Sequence, residues 1–198
     1  MDLQNSMPTK YALNRTVGPS SEPVSLAEAK DHLELAASDS THETKLSRFI
    51  SAARERVEAD TNYALISQTF TLSLDAFPDD YIDIPYKPLT SVSSITYYDA
   101  DNAQQTLATS VYAVDLSRRI ISLKYDQEWP ETVDIRNAVT VTFAAGYGTA
   151  SNVPDLFKQL VLVQVALMFE DRGDMTKRTH WETAYERLLN PVKRSNYP

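Results

Sequence analysis

The sequence predicts an α+β fold: a small helical bundle of about four helices, with an antiparallel β-sheet domain inserted between the second and third. Three observations predict it. Helical periodicity is confined to the two flanks of the chain. A period of two runs only through residues 64–148. One stretch, 153–170, is apolar on nearly every side and must be covered on every side.

That stretch reads VPDLFKQLVLVQVALMFE, and only Lys158, Gln159 and Gln164 interrupt its apolar core. Pro154 suits a first helical position, where its missing N–H costs nothing. Asp155 places an anion in the first turn, where the helix dipole favours it. Glu170-Asp171-Arg172-Gly173 is a polar stop. The expected helix is roughly 24 Å long at about 1.5 Å per residue. It is too short and too interrupted to span a bilayer, which needs about twenty apolar residues.

Residues 1–23 carry no period and many polar side chains, which predicts an extended N-terminal arm ordered only by a partner. A first helix begins at Ser25, with Glu28 completing a capping box. Leu26, Ala29 and Leu33 recur at helical spacing. Ser40 and Glu43 repeat the capping signature ahead of a second helix. Leu46, Phe49, Ile50, Ala53 and Val57 form its apolar stripe, and Arg48, Arg54, Glu55, Arg56 and Glu58 its charged face. Interleaved signs on that face predict a solvated surface, not a nucleic-acid grip.

Phe70, Leu72 and Leu74 alternate with threonine and serine, the pattern of a half-buried strand. Further strands follow at 81–84, around Val92, Ile95 and Tyr97, at 104–107, at 111–115, at 120–123 and at 138–144. Phe77-Pro78-Asp79-Asp80 and Asp99-Ala100-Asp101-Asn102 are turns. After the apolar helix, Trp181, Ala184, Tyr185, Leu188 and Leu189 share one face of a last helix, stopped at Asn190-Pro191. The domain plan is therefore an arm at 1–23, a bundle from 24–63 and 149–190, an inserted β domain at 64–148, and a tail at 191–198.

The chain of 198 residues is long enough to bury a core without staples. It has no cysteine, so neither disulfides nor thiolate chemistry arise. The first residues lack a basic start and an apolar core, so no secretory signal is expected. Acids outnumber bases 27 to 19, for a net charge of −8. Such a chain is poorly suited to gripping nucleic acid, where cations must replace counterions.

No chemistry rises above structural explanations. His32, His42 and His180 lack a second histidine or cysteine at metal-ligand spacing, and exposed helix positions account for them. Phosphate-loop patterns are absent. Asp79 with Asp80, and Asp99 with Asp101, lie in turn sequences where aspartate bonds its own backbone. Neither catalytic nor metal nor cofactor residues are assigned, and the protein is not expected to be an enzyme. Tyr81, Tyr86, Tyr97, Tyr98, Tyr112 and Tyr125 crowd the β segment. The first five are the candidate inter-subunit surface, because tyrosine is enriched at interfaces; filling of strand faces is the alternative.

The order of motifs resembles one family. Pro23-Val24-Ser25-Leu26-Ala27-Glu28-Ala29 opens the likeness, and Phe49-Ile50-Ser51-Ala52-Ala53-Arg54 with Leu65-Ile66-Ser67-Gln68-Thr69-Phe70 continues it. Ile84-Pro85, Pro88-Leu89, Val92-Ser93-Ser94-Ile95 and Tyr98-Asp99-Ala100-Asp101 follow. Phe143-Ala144-Ala145-Gly146-Tyr147-Gly148, then Val153-Pro154, completes it. Over residues 23–170 the chain resembles the head–tail connector (adaptor) proteins of tailed phages, in a subgroup with a β-sheet insertion. The resemblance implies a virion structural protein at the phage neck, made in the host cytoplasm. It would form a ring of about a dozen copies. It would contact the portal protein on one side and tail-side neck or tail terminator (stopper) proteins on the other. DNA would pass through the lumen without sequence-specific binding, and no membrane is involved. The basic aromatic tail, with Val192, Lys193, Arg194 and Tyr197, is the candidate portal contact. Two other classes are a glycan- or protein-binding β module decorating a tail, and a hydrolase built from dispersed carboxylates.

Overall fold

The computed structural model describes residues 11–170 and 175–194. The chain divides into two compact units. One comprises residues up to Gly18 and Gln68–Ala145; the other comprises Pro19–Ser67 and residues from Gly146 onward. The fold class is the expected one, with helices flanking antiparallel sheets in sequence.

In the helical unit, α1 (Leu26–His32) starts at the expected capping box. The Ser25 hydroxyl accepts the Glu28 N–H at 3.1 Å, and the Glu28 carboxylate takes the Ser25 N–H at 2.6 Å. Those contacts with Ser25 hold the Glu28 carboxyl below its ordinary pKa. A seven-residue helix cannot persist on propensity alone, so the cap matters. Ser25→Ala is expected to cost about 1 kcal/mol, read from the thermal midpoint.

The second box does not form. Helix α2 (Glu43–Thr61) is preceded by His42, which makes no side-chain cap. Glu43 instead takes the buried Lys30 ammonium at 2.7 Å, so it is not free to reach back. Asp39 accepts the Thr41 N–H and meets His42 Nδ1, each at 2.8 Å. The helix ends on Asn62 in the left-handed region, whose N–H reaches the Glu58 carbonyl.

After a 3-10 turn at Ala150–Asn152 comes α3 (Asp155–Glu170), with the expected start and length. Phe157 and the run from Leu160 to Ala166 are buried, as apolarity all round demands. Leu46, Ile50 and Val57 of α2 and Tyr185, Leu189 and Val192 of α4 (Met175–Arg194) complete the core. Each such side chain contributes about 1.5–3 kcal/mol through burial. Pro191 does not stop α4, which runs on to Arg194. The proline forfeits one backbone bond in the last turns, and burial of Val192 offsets it.

The charged face of α2 is not wholly solvated. Arg54 is only 3% exposed. Its Nε donates to Glu22 at 2.8 Å and its Nη1 to Glu58 at 3.0 Å. Glu58 also accepts the Leu65 N–H at 2.9 Å, and Ser51 donates to Glu22 at 2.8 Å. Burial opposes the guanidinium charge, but the carboxylates of Glu58 and Glu22 outweigh it and raise the Arg54 pKa.

In the sheet unit, one sheet has the order β1-β2-β8-β4-β5 and the other β3-β7-β6. Here β1 is Tyr11–Val17, β2 Gln68–Leu74, β3 Tyr81–Asp83, β4 Leu89–Tyr98, β5 Gln104–Thr106, β6 Tyr112–Asp115, β7 Ile120–Leu123 and β8 Val139–Ala145. All pairings are antiparallel. Phe70 faces Phe143, Leu72 faces Val141 and Leu74 faces Val139, so the buried positions of β2 and β8 share one side.

The arm differs from expectation. Residues 11–17 form β1, registered along β2 from Tyr11 opposite Leu74 to Val17 opposite Thr69. Its backbone pairs with β2 of the same chain. Its side chains are exposed on both faces, so no alternation marks it in the sequence. The β region proper begins at Gln68 and ends at Ala145, a few residues inside the expected limits. Ala64, Leu65 and Ile66 are buried loop residues of the helical unit.

Candidate interaction surface

The five tyrosines differ in exposure and in what their rings touch. Tyr81 is half exposed on β3. Tyr86 stacks on Phe70 with ring centroids 4.4 Å apart. Tyr97 meets the ring of Phe77 edge-on at 5.7 Å. Tyr98 is half buried, its N–H given to the Ala138 carbonyl. Tyr112 is buried in β6, where loss of water raises its hydroxyl pKa. It fills a strand face, the alternative role for these tyrosines, and presents little surface to a partner. The alternation of β6 is too short to show which way it points.

A tyrosine that periodicity missed joins Tyr81. Tyr11 on β1 is 57% exposed and shares with Tyr81 a groove of about 220 Å³, floored by Leu72, Leu74, Ile82 and Pro85. Its place in an aperiodic polar stretch gave no signal. Tyr125 is 99% exposed beside β7. The segment 124–137 that carries it, together with exposed Ile135, is pinned by Trp129 stacking on Phe77 at 4.8 Å. Exposed aromatic and apolar residues therefore concentrate on the sheet unit, the composition favoured at protein interfaces.

The tail residues separate similarly. Val192 is buried in the helical core and is not available to a partner. Lys193 is exposed and Arg194 closes α4. Tyr197 lies outside the described residues.

The other candidates have structural roles. Asp99 accepts the N–H groups of Ala103 and Asp101 and the Gln105 amide. The Ala103 N–H leads the contacts that lower its pKa. Among the described residues, no three His, Cys, Asp or Glu side chains converge as a metal site. No described helix is long and apolar enough to cross a membrane.

His32 and His42 are half buried rather than exposed. His32 lies 5.8 Å from the Trp181 ring, and its Nε2 is buried without a hydrogen-bond partner among the described residues. Burial lowers its pKa, against the opposing pull of Asp31 and Glu170. The folded state therefore binds a proton less readily than the unfolded chain. Stability contributed by neutral His32 is present above about pH 6.5 and falls as pH drops through the folded value. His32→Gln is expected to flatten the slope of stability against pH below about 6.5 by up to roughly 1.4 kcal/mol per pH unit. Urea midpoints at a series of pH values measure it.

No family model matches the sequence, and no curated protein is similar to it. Solved structures do share the fold. A chain from the neck of an empty GTA particle, computed with C6 symmetry, is 25% identical with TM-score 0.69, over 86% of this chain and 94% of that chain. A chain from the virion of a native gene transfer agent (GTA) particle is 25% identical with TM-score 0.68, over 85% and 94%. The neck of a native GTA particle computed with C12 symmetry gives TM-score 0.64 at 25% identity, over 86% and 94%. This chain has the fold of a GTA neck component. The likeness covers nearly all of the neighbouring chains, sheet and helices together.

Proposed function

We propose that this chain is a structural component of the neck of a tailed phage or phage-like particle, and there acts as a head–tail connector (adaptor). The observation that carries the reading is the likeness to GTA neck chains over 94% of their length. The motif order across residues 23–170 supports the same family. The role is structural, not enzymatic. Copies of the chain form a ring, a reading supported by the sixfold and twelvefold symmetry with which the neighbouring necks were computed. About twelve copies would close it by one repeated head-to-tail interface.

The ring sits between the portal and the tail-side neck or stopper proteins, and DNA passes through its lumen. At −8 per chain the ring is strongly acidic overall, which disfavours adhesion of a polyanion. Lys193, Arg194 and Tyr197 at the C-terminal end would dock on an acidic portal surface. Because Val192 is buried, the clean truncation falls after Arg194 and not earlier. Portal attachment should weaken in that truncation and in Lys193→Glu/Arg194→Glu, which changes the two contacts the truncation leaves in place; undiminished attachment in both would remove the tail from the interface.

Deletion of the gene from the producing genome, followed by electron microscopy of the lysate, tests the whole reading. The expected result is heads and complete tails that fail to join. Normally joined particles would overturn it.

A further inference from the structure

Among the described residues, the five-stranded sheet ends in two unlike edges, and this asymmetry points to its partner. Strand β1 occupies one end of the strand order and, among the described residues, pairs only with β2. Six of its seven residues are exposed, so neither face is covered. In an antiparallel ladder, alternate N–H and C=O groups of an edge strand point away from the neighbour. Proteins usually blunt such an edge with charged side chains, above all lysine, with proline, with bulges or with short length. Strand β1 reads YALNRTV, with neither proline nor lysine over seven residues. Its one irregularity lies between Arg15 and Val17, leaving residues 11–15 in unbroken register.

Strand β5 occupies the other end of the order, and all three of its residues are exposed. Its surroundings are complementary in charge. Tyr11–Val17 carries one cation, Arg15, and no acid. Residues 99–106 carry two acids, Asp99 and Asp101, and no cation. A ring closed by rotation needs two different patches on each copy, one meeting the other on the next copy. A single patch that pairs with itself gives a twofold dimer and stops.

We propose that the β1 edge adds to the β5 edge of a second copy of this chain, so that the five-stranded sheets continue from copy to copy around the ring. The occupant of each edge is the same protein, and main-chain hydrogen bonds supply the contact, as in other strand-addition interfaces. Exposed Tyr11 and Tyr81 beside β1 would anchor the join with aromatic area. The proposal rests on the ring reading above and deepens it.

The chain has no cysteine, so introduced pairs report without background. Ala12→Cys or Asn14→Cys on β1 is combined with Gln104→Cys, Gln105→Cys or Thr106→Cys on β5, all at exposed positions. Directly opposed residues on paired strands approach within disulfide reach. The full-length variants are assembled, ring formation is checked by mass photometry, and the rings are oxidised. At least one pair is expected to give a ladder of covalent multimers rising to the ring's full copy number. Each single variant should stop at dimers. Rings that form but give no ladder with any pair overturn the edge pairing and leave the ring reading intact. Monomers at every concentration, in the presence of particles as well, overturn both. Covalent capture of β1 by a different particle protein also overturns it, since the occupant is then not a second copy.

Discussion

Arg54→Met is expected to lower the stability of the helical unit by about 3–5 kcal/mol, the usual consequence of removing one partner from a buried ion pair. The loss comes from what stays behind. Glu58 is nearly as buried as Arg54 and would lose its guanidinium while still accepting the Leu65 N–H. Glu22, at the less buried end, loses its guanidinium but can turn toward water. The link it makes between the segment before α1 and the middle of α2 would then rest on Ser51 alone. A second change separates this account from simple loss of packing. Glu58→Gln retains an oxygen for Leu65 and discards the charge. Arg54→Met/Glu58→Gln should therefore recover more than half of the deficit. Urea denaturation of the four proteins, read as a double-mutant cycle, measures the coupling. A cost for Arg54→Met below about 1 kcal/mol would falsify the network's role in stability, since that is the level of an exposed pair.

Gly146→Ala should also damage the helical unit, by about 3 kcal/mol or more. Two effects add. The residue sits at φ +128°, a conformation that side chains rarely adopt and that costs about 1–3 kcal/mol. A Cβ there would also collide with the Ile66 carbonyl oxygen and stand 2.9 Å from the Ser67 Cα. Backbone cannot swing aside as a lysine tip can, so overpacking adds about 1–3 kcal/mol. Nearby, the Ser67 N–H bonds the Gly148 carbonyl at 3.0 Å, so relief by movement would break that contact. Gly18→Ala is the control, because nothing lies within 4 Å of its added carbon. Thermal midpoints should fall sharply for the first and stay nearly unchanged for the second. Equal behaviour of the two would mean that the close approach at Gly146 does not exist in solution.

Which parts of this structure could be read from sequence follows from where each signal is stored. Strands β2 and β8 carry their burial in alternate residues, and α3 carries it in unbroken apolarity, so both were legible locally. The Ser25 cap was legible because its partner, Glu28, is three residues away. The false cap at Ser40 had the same letters. It failed because Lys30, thirteen residues earlier, claims Glu43 through the fold. Arg54 resembled a surface arginine for a similar reason, since Glu22 lies thirty-two residues before it in a polar stretch. Strand β1 buries no face and is defined only by pairing with β2. The tyrosines divided between surface and core according to sheet register, which composition does not encode. Hence Tyr81 is half exposed while Tyr112 is buried. Tyr11, the exposed companion of Tyr81, left no periodic trace.

The interleaving of the two units along the chain sets an order of completion during synthesis. Every strand of the sheet unit has been synthesised once Ala145 is made. At that moment the helical unit has only α1 and α2, because α3 and α4 follow later in the chain. Elongation at roughly 5–20 residues per second leaves the apolar stripe of α2 uncovered for several seconds. The first strand made, β1, waits for β2, and β2 waits in turn for β8. The last strand of the sheet therefore emerges ahead of α3 and α4, which complete the bundle. Chaperone dependence in the producing cell should thus centre on Leu46, Ile50 and Val57, the apolar surface that waits for α3 and α4.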